Sequence, residues 1–375
     1  MFSERQQRIF RFWLPCVLSG GIAALLLVGL GQTPIVRALG LGLVIVGMAL
    51  ALRRMGSALA LTGGLTLCLS PAFWTQTGGA QGEPATIVLA VGAAGLAVLL
   101  AVLLSQRPYV ALGLGILVFA GLFFAQVGTP RSIRLTGFVA SWLLYLIVDM
   151  LLLTNPHPED KAPPILLDKP AAEGMSLVRP YHLYGILLLF GIGVLNDPLL
   201  ALLTPAVGLA LLLARARLPV WYWLALAGVA ALGARGIVVD YLEAQRYFLL
   251  MERWRDAERW LIQLRLVEAQ FGWIGMALAV LGLTRLARWY PPLGGVTLLA
   301  YAAYTFFGLI YIGPRKEALL LPLFIIQVLW ITYAVFTLTE WVKRALPLRR
   351  RSIELTIQAA YALLPAALLA SRIRW

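Results

Sequence analysis

Apolar runs of roughly 17 to 22 residues, each long enough to cross a bilayer, recur from Phe12 to Ala370 and are separated by short polar clusters. Lipid leaves free backbone N–H and C=O groups without partners, so runs of this length are expected as helices, and strands are not expected. The pattern predicts spans over 12–30, 35–52, 57–73, 86–104, 109–126, 134–153, 182–195, 198–214, 219–238, 271–287, 293–312, 318–339 and 354–371. This is an all-α, polytopic transmembrane architecture of about 13 spans, within a range of roughly 12 to 14. Segment 182–195 is short for a hydrocarbon layer of about 30 Å at a rise of about 1.5 Å per residue. It is expected as a half-span that meets its partner, 198–214, at Asn196-Asp197-Pro198.

Two polar segments interrupt the pattern. Residues 154–181 carry Pro156, Pro158, Pro163, Pro164, Pro170 and Pro180 with charges of both signs. They read as a linker between an N-terminal membrane half, 1–153, and a C-terminal half, 182–375. Residues 239–268 mix Trp254, Trp260, Leu250, Leu261 and Leu264 with Arg253, Arg255, Asp256, Glu258 and Arg259, as one or two amphipathic helices lying in the interface would. At the N-terminus, Phe12 to Leu30 follows Arg5, Arg8 and Arg11 in the manner of a signal peptide. The run exceeds a signal core of about 7 to 15 residues and no small-x-small cleavage site closes it, so it is read as a retained first span.

Composition agrees: 61% of the residues are hydrophobic, 13% are charged and the mean hydropathy is +0.85, an excess that a water-soluble core cannot absorb. A net charge of +14 would point to nucleic acid in a soluble protein, but here the cations cluster at the ends of apolar runs, so no nucleic-acid partner is expected. Thirteen spans place the termini on opposite sides. With the N-terminus cytoplasmic and the C-terminus outside, Arg53-Arg54, Arg107, Arg215 with Arg217, Arg285 with Arg288, and Lys343 to Arg351 fall inside. Arg131, Arg134, Arg315, Lys316, Arg372 and Arg374 are the exceptions on the outer side. The linker is then cytoplasmic, segment 239–268 is outer, and the plasma membrane is the expected location. Cys16 and Cys68, each inside an apolar run, are read as packing residues.

Soluble-enzyme patterns are missing. His157 and His182 lie in or beside the linker without ligand spacing for a metal, and no His-Glu-x-x-His, Walker or dinucleotide fingerprint occurs, so no metal site is assigned. Scattered glycines such as Gly20-Gly21 and Gly92 with Gly95 are read as helix-packing positions. Ionisable groups at or just inside the expected outer boundary are what remains, and they cost free energy there. They are Glu83 with Gln76 and Gln81, then Asp197, then Arg235 and Asp240, then Arg246, Arg253 and Arg255, and finally Arg315, Lys316 and Glu317. In Gly313-Pro314-Arg315-Lys316-Glu317, two cations in a tight turn fit a phosphate through charge-assisted hydrogen bonds, as they also fit a lipid headgroup. Asp149 is expected at the interface or bonded to a neighbouring helix.

Val36 to Gln76, with Arg37-Ala-Leu-Gly40, Leu52-Arg-Arg-Met-Gly-Ser57 and Leu69-Ser-Pro-Ala-Phe73, resembles the second and third spans of the GT-C membrane glycosyltransferases, the protein mannosyltransferase-like superfamily. Gly191 to Pro205 resembles that group's paired short helices, and 258–335 is similar to its C-terminal spans. The resemblance implies sugar transfer from a polyprenyl-phosphate donor at the outer face, with a first-loop carboxylate acting as base or as partner to a divalent metal. Here the first outer loop, Gly31-Gln-Thr-Pro-Ile-Val-Arg37, holds no acid. Glu83, Asp197 and Asp240 are the catalytic candidates that survive, and Arg315, Lys316, Arg235 and Arg246 are the candidates for donor phosphate. Two alternatives stand beside transfer: a non-catalytic scaffold of this kind that binds lipid-linked glycan or a membrane partner, and a secondary transporter split at 154–181.

Overall fold

The computed structural model describes residues 4–77, 133–154, 178, 180–216, 218–243, 249–345 and 350–373. Among them every element is helical, apart from one isolated antiparallel bridge between Leu249 and Tyr311. The first helices are α1 (Glu4–Gly29), α2 (Ile35–Leu52), α3 (Ser57–Leu69) and the short α4 (Pro71–Trp74). They are followed by α5 (Ile133–Thr154), α6 (Pro180–Asn196), a 3-10 turn over Pro198–Leu203 leading into α7 (Thr204–Leu213), and α8 (Val220–Ile237). The last group is α9 (Ala257–Trp289), α10 (Pro291–Ile310), the short α11 (Lys316–Leu319), α12 (Leu321–Ala345) and α13 (Arg350–Ile373).

Eight of the described helices are long and apolar enough to cross a membrane, or nine if the bent pair Ser57–Leu69 and Pro71–Thr77 is one span. Two shorter apolar helices, Tyr181–Asn196 and Pro198–Leu213, occupy the places expected for the half-span and its partner. The expected spans 86–104 and 109–126, and nearly all of the linker, lie outside the described residues. The expected span 57–73 is broken: Ser70 is extended at φ −63° and ψ 144°, and the chain turns by 64° into α4. Pro71 is the cause. Its ring holds the preceding residue out of the helical region, and it then serves as the first residue of a new helix.

Helices alternate between two ends of the bundle. Arg54, Asp149, His182 and Tyr290 gather at one end, whereas Thr77, Arg134, Thr136, Asn196 and Asp197 gather at the other. Thr77 and Ile133, which flank 78–132, therefore lie at the same end. In charge terms the Arg54 end is the one expected to be cytoplasmic. α12 is the central element, with 89% of its spanning window buried, against 11% for α13, whose Leu355 and Leu363 are exposed. Such exposed apolar surface is what a helix turned towards lipid presents.

Candidate functional site

Helix α9 holds two pieces in one element. Gly272 sits at φ 67° and ψ 177°, a backbone state open to glycine, and breaks the helix between a first part, 257–271, and a second part, 273–289. The first part lies at the Asp197 end, where Gln270 meets α4. Its outer side exposes Trp260, Leu261, Ile262 and Leu264, and its inner side places Arg259, Gln263, Val267 and Gln270 in one row at helical spacing. The sequence predicts an amphipathic segment here; in the fold Arg259, Gln263 and Gln270 face the protein, while the outer side mixes those apolar residues with exposed Glu258 and Arg265.

The seam beneath this helix is polar and incompletely satisfied. Gln270 is fully buried, and its Oε1 accepts the Ala72 N–H at 2.8 Å, satisfying one of the first donors of α4, while its Nε2 has no partner. Gln263, 4% exposed, has a partner for neither Oε1 nor Nε2. It lies flat against Gly308 of α10: a Cβ at 308 would sit 2.7 Å from Gln263 Oε1 and 3.1 Å from Nε2. Lys316, at the start of α11, is half-buried with Nζ enclosed and unpartnered, and α11 packs on α4. Burial, and then the charge of Arg259, push the Lys316 ammonium down to about 8. Buried polar atoms in folded proteins are ordinarily paired, so four orphaned atoms on three side chains around one helix mark a place for a polar guest.

A second basic group adjoins it. Arg37 Nη1 donates to Thr77 O at 3.2 Å and Arg134 Nε donates to Gln76 O at 2.8 Å, so two guanidinium groups from α2 and α5 meet the consecutive carbonyls that follow α4. The Gln76 side chain is buried and donates to Thr75 Oγ1 at 2.9 Å. Cations at a helix C-terminus are favourable by themselves. Arg37 falls at the start of α2, where the sequence predicts the end of an outer loop, and Arg134 and Lys316 are exceptions to the expected charge alternation; these irregularities are the signal by which sequence could single them out.

The expected site residues that are described are dispersed. Asp197 is buried as the N-cap of the 3-10 turn: Oδ1 accepts from Leu199 N at 3.0 Å and Oδ2 from Thr136 Oγ1 at 3.0 Å. Asp240 is half-buried in a π-helical turn over Val238–Glu243, and Arg235, one turn before it, is exposed. Arg315 is exposed, at φ 57°, and caps α11. Of the described residues expected to hold phosphate, Lys316 alone enters the seam. Glu83 and Arg246 lie outside the described residues. Gln263, Gln270 and Arg259 carry no binding signal in the sequence, because which face of the helix is covered is a tertiary fact.

At the opposite end Asp149 accepts from Arg54 Nη2 at 2.5 Å and from Tyr181 Oη at 3.3 Å, and it lies 2.9 Å from His182 Nε2. This ties α5 to the turn after α2 and to α6, so the acid is bonded to neighbouring segments. Among the described residues no group of three or more His, Cys, Asp or Glu side chains is placed to hold a metal ion. The described residues thus define an all-helical protein with eight helices long and apolar enough to cross a membrane, and with a polar seam under the first part of α9. No family model, curated protein or solved structure matches the chain.

Proposed function

We propose that the protein is a divergent GT-C-like membrane protein that binds a polyprenyl-phosphate-linked sugar at the outer face, in the seam beneath 257–271. The observation that carries this reading is the enclosed, unpartnered Lys316 ammonium beside Arg259, two cations from separate elements under a helix whose outer side exposes Trp260, Leu261 and Leu264. A lipid phosphate supplies the missing anion, and its chain leaves along the exposed face of Trp260 and Leu264. Recognition is favoured over group transfer at Asp197, because one oxygen of that acid caps the 3-10 turn and the other accepts from Thr136. Transport draws less support: the cleft at mid-depth among α5, α7, α10 and α12 is lined by Ala140, Ile147, Val207, Ala300 and Ile325, with Thr297 its polar member.

The test is retention and turnover of a radiolabelled polyprenyl-phosphate sugar by purified protein, compared with Lys316→Ala, Arg259→Ala and Glu83→Gln. Retention without turnover, weakened by the first two substitutions, is expected. Turnover abolished by Glu83→Gln would make the protein a transferase, and the absence of retention would end the reading.

A further inference from the structure

Resting on that reading, we propose that Gln263, seated on Gly308, forms a separate subsite for the uncharged, hydroxyl-bearing part of the headgroup, next to the cationic position of Lys316 and Arg259. The argument begins from the carboxamide itself. It offers two donors on Nε2 and an acceptor on Oε1, all enclosed and without a protein partner. An anion uses donors alone and would leave Oε1 unsatisfied. A hydroxyl both donates and accepts, so a pair of neighbouring hydroxyls on a sugar ring satisfies both ends of one carboxamide.

Position supports the assignment. Arg259 and Gln263 are separated by four residues on the inner row of α9, about 5 to 6 Å apart at Cβ, and Arg259 is the residue whose charge reaches Lys316. Phosphate at the cations therefore puts the first sugar ring within reach of the carboxamide. Gly308 makes the seat: any side chain there would meet Oε1, Cδ and Nε2 together. A carboxamide kept purely for packing would have been bonded, as Gln270 is to Ala72 N.

The experiment uses the full chain in phosphatidylcholine nanodiscs, titrated with two fluorescent-tailed probes: an alkyl phosphate and an alkyl glucoside of equal chain length. Gln263→Leu is expected to weaken the glucoside roughly tenfold, the loss of one or two neutral hydrogen bonds, and to leave the phosphate probe unchanged. Lys316→Ala is expected to do the reverse. Gly308→Ala, which keeps Gln263 but displaces it, reproduces the Gln263→Leu pattern and serves where that variant does not fold. Glucoside binding that is absent from the unsubstituted protein, indifferent to both changes, or lost in parallel with phosphate binding overturns the subsite. Loss of phosphate binding alone from the unsubstituted protein overturns the lipid-phosphate reading, and the glucoside result still decides on Gln263.

Discussion

His182 Nε2 and Asp149 Oδ2 lie 2.9 Å apart, so the start of α6 is fastened to the last turns of α5 through a histidine with no exposed surface. Arg54 holds the other carboxylate oxygen from the turn after α2. One acid thus joins three segments whose sequence separations are 95 and 33 residues. Removing the acid leaves a guanidinium and an imidazole facing each other in a largely enclosed place, and breaking one side of a buried pair costs roughly 3 to 5 kcal/mol. Asp149→Ala is therefore expected to lower the unfolding free energy by about 3 kcal/mol, the low end because Arg54 keeps some exposure. Thermal unfolding in detergent measures it, and a shift indistinguishable from that of an exposed substitution such as Glu317→Ala would contradict the clamp.

Asp197 yields a different expectation. Its two oxygens close the N-terminus of the 3-10 turn and anchor Thr136 of α5. Replacing a side-chain cap by Ala costs roughly 0.5 to 2 kcal/mol. Asp197→Ala should thus destabilise by about 1 to 2 kcal/mol, Asp197→Asn by less because the amide oxygen still accepts. Retention of the radiolabelled lipid-linked sugar should survive in both once temperature is set below unfolding. Abolition by Asp197→Asn, with unfolding unchanged, would restore the acid to the chemistry.

The contrast between these acids shows what sequence can carry. Helix α2 runs over the expected 35–52, and the short pair around Asn196-Asp197-Pro198 falls where 14 apolar residues proved too few for a full span. Both follow from length and hydropathy, which act locally. The fold of 57–73 departs from expectation because one proline, Pro71, outweighs the continuity of the apolar run. The seam was hidden for a different reason. Gln263 and Gln270 are polar residues in an amphipathic stretch, and sequence periodicity gives their common face without saying whether water, lipid or protein covers it. Asp197 reads in the sequence as an ionisable residue at a boundary; in the fold Oδ1 caps the 3-10 turn through Leu199 N, and Oδ2 is held by Thr136, a partner 61 residues earlier that no local pattern reveals.

Lys316 makes the seam pH-sensitive. In the folded protein the ammonium gives up its proton near pH 8, pushed down to about 8 from an ordinary value of 10.5 by burial and then by Arg259. Between those values the unfolded chain binds the extra proton, so the folded state gains stability as pH rises from about 8 towards 10.5 and loses that gain below. Unfolding temperatures of the lipid-stripped protein should rise across this window, and Lys316→Met should flatten the rise. Affinity for the alkyl phosphate should move oppositely, falling above about pH 8 as the cation is lost. A phosphate affinity that is flat between pH 7 and about 9.5 would remove Lys316 from the site.

Gln263 separates a binding residue from a packing residue by the sign of a stability change. A buried amide without partners costs roughly 1 to 3 kcal/mol, and an apolar side chain of similar size avoids that cost. Were Gln263 there to hold α9 on α10, Gln263→Leu would weaken the fold. Since neither of its polar atoms has a partner, the substitution is expected to raise the stability of the ligand-free protein by about 1 kcal/mol while reducing its affinity for the glucoside. Gln270→Leu provides the comparison, because it breaks the bond to Ala72 N and leaves a donor of α4 unsatisfied, so it should destabilise. Thermal unfolding of the two variants side by side, with and without the alkyl glucoside, reads both effects. A Gln263→Leu protein that unfolds earlier than the unsubstituted one in the absence of ligand would show that the carboxamide is structural.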